Sequence, residues 1–296
     1  MRGQEGVRRY AGARVRVVRG QARLLSAVGP GPGMVAGQFS VLSPGTERRH
    51  LAGADREAGY MTLGRTDEAA GWLVAPVPHG AAFDPACPGA VRAPAGVPPS
   101  LAALARFGQM ACLGLDRVPA VDVNGALVVG SGPVALGCVL ELHRRGATRI
   151  RVVTSRSKAP IGQAPGVTCE RPDGAGRGHL VIDTTGDVRR AAALTEPSGV
   201  LGLLGTPKAG DVLGALEVHR GGWTVVGMHE LAPAAPGAYQ AAYTTVASWL
   251  AEHLDPALVG RWCRTVPGAC APELFAVLDA PSRPAEPVVL LDWRTS

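Results

Sequence analysis

The sequence predicts an α/β protein with a doubly wound, mostly parallel sheet in its middle and a second, β-rich part before and after it. Three observations carry that expectation. A short apolar run, Ala126–Val129, leads directly into Gly130-Ser131-Gly132-Pro133-Val134-Ala135, which fits G-x-G-x-x-G/A. The residues after it are helical in period and are followed by a β-branched run, Ile150-Arg151-Val152-Val153-Thr154, closing a strand-helix-strand unit of about thirty residues. A chain of 296 residues is also roughly twice what such a sheet needs, so two domains fit it better than one.

From the N-terminus, Val15-Arg16-Val17-Val18 reads as a first edge strand or as the end of a frayed arm. Residues 22–42 alternate apolar and small side chains around Gly29-Pro30-Gly31-Pro32-Gly33, the pattern of two strands joined by a rigid turn. Leu42-Ser43-Pro44-Gly45-Thr46-Glu47 leads into a short helix, which Thr46 can cap with Glu47 on its dipole. After Gly59-Tyr60-Met61-Thr62-Leu63-Gly64, residues 72–77 read as a strand and Pro78-His79-Gly80 as a turn whose histidine is satisfied by backbone. Residues 90–97 read as a strand with its own turn and 100–115 as an alanine-rich helix.

The helix after the glycine turn carries Val134, Cys138 and Leu142 at i, i+4 and i+8, widened by Leu136 and Leu140. His143-Arg144-Arg145-Gly146 gives it a basic last turn and a glycine stop. Residues 239–254 form an amphipathic helix ending before Asp255-Pro256, and 262–296 return to the first domain as helix and strand. The expected domains are therefore 1–115 completed by 262–296, and 116–261.

The glycine turn has a physical reading. Gly130 permits the tight turn, Gly132 lets the backbone approach a pyrophosphate, Ala135 keeps helix and strand close, and the helix start at Pro133 and Val134 points unpaired N–H groups at the anion. At the end of the second strand an NAD site places an acidic residue on the ribose hydroxyl. Here the run is Thr154-Ser155-Arg156-Ser157-Lys158, two kinds of donor suited to a 2'-phosphate, so the expected cofactor is NADP(H).

Composition excludes several alternatives. The net charge of +6 is spread along the chain and only 4% of residues are aromatic, which argues against nucleic acid as a partner. No apolar run approaches the roughly 18 residues of a membrane span, and the basic N-terminus lacks the apolar core of a secretory signal. The cysteines at 87, 112, 138, 169, 263 and 270 show no C-x-x-C pair and read as buried thiols of a reducing cytoplasm. The Ala, Gly, Arg and Pro bias is that of a high-GC genome, such as an actinobacterial one.

Ser-Pro-Gly-Thr-Glu at 43–47, Gly-Tyr-x-x-x-Gly at 59–64, Pro-His-Gly at 78–80, the alanine-rich helix and VVGSGPVALG at 128–137 together resemble the medium-chain dehydrogenase/reductase superfamily, the alcohol-dehydrogenase-like oxidoreductases. The resemblance runs from about Ala22 to Trp293. It implies a Rossmann-type domain beside a shortened GroES-like substrate domain, with residues 181–186, 200–205, Val218-His219 and 223–229 matching the fourth to sixth strands of the nucleotide half. It places Thr184, Thr185, Gly205, Thr206, Gly227 and Met228 at strand ends facing the cofactor. It also implies a homodimer joined through an edge strand such as Trp223-Thr224-Val225-Val226.

The departures matter as much. The positions of the family's catalytic zinc ligands are similar to Pro44, Tyr60, Met61 and a position near Ala105, none of them able to hold zinc in the usual way, and the four-cysteine zinc lobe is missing. The expectation is a zinc-free, NADPH-dependent reductase acting on a carbonyl or an enone C=C of a small molecule, such as a natural-product intermediate, with ring closure as a coupled outcome. Tyr60 and Thr46 are the first candidates to meet the developing oxyanion, with Glu47 and His79 behind them. A non-catalytic NADP(H)-binding sensor or structural protein is the alternative. A zinc enzyme using Cys87, Cys112 or His79 is a third reading.

Overall fold

The computed structural model describes residues 13–26, 29–208, 210–232, 235–280 and 282–294. They divide into two compact units, one of residues 1–90, 265–283 and 289–296, the other of 91–264 and 284–288. The division falls at 90/91 and not at the expected 115/116, because the alanine-rich helix packs with the helices of the parallel sheet.

The first unit contains β1 (Ala13–Val18), β2 (Gln21–Ser26), β3 (Phe39–Leu42), α1 (Pro44–Ala52), β4 (Arg56–Glu57), β5 (Thr62–Gly64) and β6 (Leu73–Ala75). β1 and β2 are an antiparallel hairpin turning at Arg19-Gly20, both left-handed, and β4 pairs with the other edge of β1. The two strands expected around 29–33 do exist as β2 and β3, but they do not pair: β2 is in this hairpin, and β3 joins β5 in a separate antiparallel sheet.

The second unit opens with β7 (Val91–Arg92), all that forms of the strand expected over 90–97, and α2 (Pro99–Leu115). Then come β8 (Ala126–Val129), α3 (Pro133–Arg144), β9 (Ile150–Val153), β10 (Val167–Glu170), β11 (Gly178–Asp183), α4 (Val188–Ala193), β12 (Thr195–Leu203), α5 (Ala215–Gly221), β13 (Thr224–Gly227), α6 (Ala238–His253) and α7 (Pro256–Trp262). Six of these strands form one sheet in the order β10-β9-β8-β11-β12-β13, every neighbouring pair parallel. Val218 and His219 lie in α5 rather than in a strand.

α2 is buried from Leu101 to Leu115. Its alanines, leucines and glycines favour close approach, and a Cβ on Gly137 of α3 would lie 2.4 Å from the Phe107 carbonyl carbon. The first unit is completed by α8 (Ala271–Ala276), most of β14 (Cys263–Pro267) and all but the first residue of β15 (Val288–Asp292), which pairs antiparallel with β3. Its core gathers Val15, Val17, Leu42, Phe275, Leu291 and Trp293.

The cysteines are all free, but only Cys112 and Cys138 are buried; Cys169 is exposed, against the expectation of six buried thiols. Among the described residues, no helix is long and apolar enough to cross a membrane.

Candidate functional site

Because every pair in the second unit's sheet is parallel, the carboxyl ends of its strands share one edge. β8 ends at Val129 and the chain turns at Gly130, whose φ is +117° and whose Cβ would lie 2.4 Å from Thr184 Oγ1. Only glycine fits there. Gly132 differs: it is the N-cap of α3, and nothing lies within 4 Å of where its Cβ would stand. With Pro133 at the start and no side-chain cap, α3 opens on backbone N–H groups with no partner in its own helix, the arrangement that binds a phosphate. Pro133 is buried and Val134 half-buried.

At the end of β9, Thr154 is buried, with its Oγ1 2.7 Å from Ser131 Oγ and accepting from Arg156 N at 3.2 Å. The Arg156 guanidinium donates to the carbonyls of Pro284 and Ala285 at 3.2 and 2.9 Å. Lys158 and Ser155 are exposed. Arg171, which no motif in the sequence singles out, follows β10 and donates to the Ser155 carbonyl. Its only signal was the unanticipated strand at Val167–Glu170. The nearest strand-end carboxylate, Glu170, is taken up by Arg151 at 2.6 and 2.9 Å, which holds its pKa below the usual carboxylate range despite partial burial.

The next strand ends are tied to one another. Thr184 Oγ1 donates to Val129 O at 2.7 Å, and Thr185 Oγ1 to Asp183 Oδ1 at 2.7 Å. Burial pushes the Asp183 carboxyl up, against the two hydrogen bonds from Thr185. A Cβ on Gly205 would lie 2.5 Å from the Thr184 carbonyl carbon, and Thr206 is exposed beyond it. Gly227 ends β13 with open space at its Cβ position, whereas the Met228 side chain is core, packed where Gly114 and Gly202 leave room.

In the first unit, Glu47 and His79 are brought together and sealed, both with fully buried side chains. His79 Nε2 is 3.2 Å from Glu47 Oε1, and His50 Nδ1 is 3.2 Å from Oε2. His79 Nδ1 is 2.7 Å from Ser40 Oγ, to which Trp293 Nε1 donates at 2.8 Å. One proton assignment satisfies all four contacts: Trp293 donates to Ser40, Ser40 to His79, and both histidines to the carboxylate. Burial alone would push the Glu47 carboxyl up; His79 and then His50 override it and hold its pKa at about 2. His79 is thus satisfied by side chains, not by backbone as expected.

Thr46 does not cap α1. The N-cap is Ser43, and Thr46 Oγ1 accepts instead from Arg49 Nη2 at 3.3 Å. Tyr60 is half-buried and follows Gly59, which holds φ +94° with His79 N 2.6 Å from its Cβ position. Pro44 starts α1, Met61 is buried, and Ala105 is buried in α2. Among the described residues, no three His, Cys, Asp or Glu side chains form a group that could hold a metal ion.

A second polar cluster, also missed, lies in the second unit. Arg106 is 3% exposed in the otherwise largely apolar α2. Its Nη1 donates to Gln109 Oε1 at 2.5 Å and meets Glu230 Oε2 at 2.5 Å, while Nη2 donates to the Tyr239 hydroxyl. The guanidinium also lies 4.9 Å from the Tyr239 ring centroid. Tyr239 OH donates to Glu230 Oε2 at 3.3 Å, and Gln109 Nε2 to Tyr239 O at 2.6 Å. Burial foremost, with Glu230 and against Arg106, pushes the Tyr239 phenol above its ordinary range. A charged residue with glutamine three positions on, inside an alanine-rich helix, was the readable signal.

No protein-family model and no curated protein matches the sequence. Solved structures do match over most of the chain. Alcohol dehydrogenase from Thermus sp. ATN1 superposes with a TM-score of 0.74 at 13% identity, covering 95% of this chain and 99% of that one. This is the alcohol-dehydrogenase-like fold. A thermostable alcohol dehydrogenase from Pyrobaculum aerophilum, solved with cobalt and zinc, gives 0.68 at 17% identity over 95% and 98% of the two chains. A Sinorhizobium meliloti 1021 protein assigned as a zinc-binding dehydrogenase and solved with NADP gives 0.69 at 14% over 95% and 98%.

Proposed function

We propose that this chain is an NADP(H)-dependent oxidoreductase that delivers hydride to a carbonyl or to the C=C of an enone. The observation that supports it most is the head of α3: uncapped N–H groups beside a bare Gly132, next to a strand end followed by Arg156 and Lys158, where Arg171 reaches the Ser155 carbonyl and the Glu170 carboxylate is taken up by Arg151. Gly132 and the α3 N-terminus would hold the pyrophosphate, and Arg171, Lys158 and Ser155 the 2'-phosphate. Arg156 would act by fixing that loop to residues 284–285. Hydride from C4 of the dihydronicotinamide is the chemistry NADPH supplies when bound.

The replaced ligand positions favour chemistry without zinc, in which hydrogen-bond donors meet the oxyanion. With Glu47 and His79 sealed, Tyr60 and Thr46 remain the first unit's candidates. The reading extends to a natural-product intermediate as substrate, with ring closure as a coupled outcome, to a cytoplasmic setting, and to a homodimer through β13, the last strand of its sheet.

A fluorescence titration with NADPH and NADH tests it. The expected result is tighter NADPH binding, weakened about tenfold in Arg171→Ala. Equal affinities unaffected by the substitution would remove the NADP(H) preference, and no binding at millimolar nucleotide would end the reading. The alternative, a non-catalytic NADP(H)-binding protein, is favoured by the closed Glu47–His79 pair; bound NADPH would then never be oxidised.

A further inference from the structure

We propose that Tyr239, held by the Arg106–Glu230 pair, is the donor that meets and protonates the substrate oxygen. The inference rests on the NADP(H) reading above and names the acid of that same site. Three observations lead to it. First, a buried charge within an apolar helix is costly unless paired, and a buried ion pair is weak evidence for stability, so Arg106 in α2 calls for another reason. Second, the pair sits at the sheet's functional edge: Glu230 lies three residues beyond Gly227, the carboxyl end of β13. The glycine turn at β8 claims one half of a dinucleotide crevice, and β11 to β13 make the other half, where the reacting ring belongs.

Third, the loop from β13 to α6 is fastened to α2 around this point. Arg117 donates to the carbonyls of His229 and Ala232 at 3.0 and 3.1 Å, and Gln109 to that of Tyr239. The cluster is not closed, however. Glu230 keeps 17% of its side-chain surface and Tyr239 is half-buried, so a ligand oxygen can replace the long 3.3 Å contact between them.

Hydride bonds to the electrophilic carbon, and the displaced π pair moves to the carbonyl oxygen, directly in a ketone or through the enolate in an enone. That oxygen takes the Tyr239 proton as the O–H bond breaks. The phenolate left behind is held by the Arg106 guanidinium, which acts against burial and the Glu230 carboxylate, and is reprotonated by water. Arg106 and Glu230 act as positioning residues.

The test is NADPH oxidation by the full chain with 9,10-phenanthrenequinone and 2-cyclohexen-1-one as probes, in parent, Tyr239→Phe, Tyr60→Phe and Arg106→Lys. Tyr239→Phe should bind NADPH within twofold of the parent and unfold at the same temperature, yet lose roughly 10²–10⁴-fold in kcat together with its solvent isotope effect. Arg106→Lys should lower kcat with little change in KM. A Tyr239→Phe enzyme within threefold of the parent, or a loss confined to Tyr60→Phe, overturns the assignment while leaving the NADP(H) reading intact. A parent that does not bind NADPH removes both, and one that binds it but oxidises it with neither probe overturns hydride transfer and the Tyr239 assignment together, leaving only the NADP(H)-binding reading.

Discussion

Each unit of this protein buries an ionisable cluster, and the two are built to opposite ends. In the first, Glu47 and His79 are fully enclosed and each polar atom has a donor or acceptor within the cluster. In the second, Arg106 is enclosed but its partner Glu230 reaches the surface. A network complete in itself rigidifies; one with a member at the rim can exchange a contact for a ligand. Burial of the last partner, rather than the residue types present, separates the two.

Removing the carboxylate should therefore separate them most clearly. Glu47→Gln is expected to cost about 3–5 kcal/mol in urea unfolding, because it breaks a pair with no water to replace it. The same change at Glu230 should cost only about 1–2 kcal/mol, since water can reach the site. Equal losses would erase the contrast.

Acid sharpens it further. A carboxyl whose folded pKa is depressed contributes stability that is complete above its ordinary value of 4.5 and lost as pH falls through about 2. The Glu47 contribution is on the order of 3 kcal/mol at roughly 1.4 kcal/mol per tenfold in proton affinity. Unfolding measured from pH 5 to pH 2 should show this loss in the parent and a flatter curve in Glu47→Gln; parallel curves would place the linkage elsewhere.

The smallest effects concern the glycine turn. Gly132→Ala should leave the melting temperature unchanged, because open space meets the new methyl, yet weaken NADPH about tenfold. Gly130→Ala should instead lower the melting temperature, since φ +117° and Thr184 both oppose a Cβ. A stable Gly132→Ala protein with parent-like NADPH affinity would mean that no phosphate approaches that backbone.

The parallel half was legible because its signals are local. An apolar run, two glycines and a helical stripe within 126–146 place β8, the turn and α3 without reference to distant residues. The first unit was less legible for the complementary reason. Its hairpin turns at Arg19-Gly20, with a non-glycine residue in a left-handed conformation, while Gly29-Pro30-Gly31-Pro32-Gly33 offered a stronger but misleading turn signal. Its polar network joins Ser40 to His79 and to Trp293, 39 and 253 positions away, which no spacing rule connects. Arg106 was readable as an anomaly beside Gln109, but Glu230 and Tyr239 lie beyond a strand order that only the fold reveals.

At the contact between Gly137 of α3 and Phe107 of α2, α3 contributes no side chain, and a Cβ there would meet both the Phe107 carbonyl and its Cβ. Gly132 stands at the head of the first helix, and Arg106 directly precedes Phe107 on the second. The spacing between the glycine turn and the Tyr239 cluster is thus gauged where the Gly137 backbone lies against Phe107, like two rulers clamped edge to edge. A methyl inserted at Gly137 would shift one scale against the other, so an alanine there should disturb the alignment of two regions it does not touch.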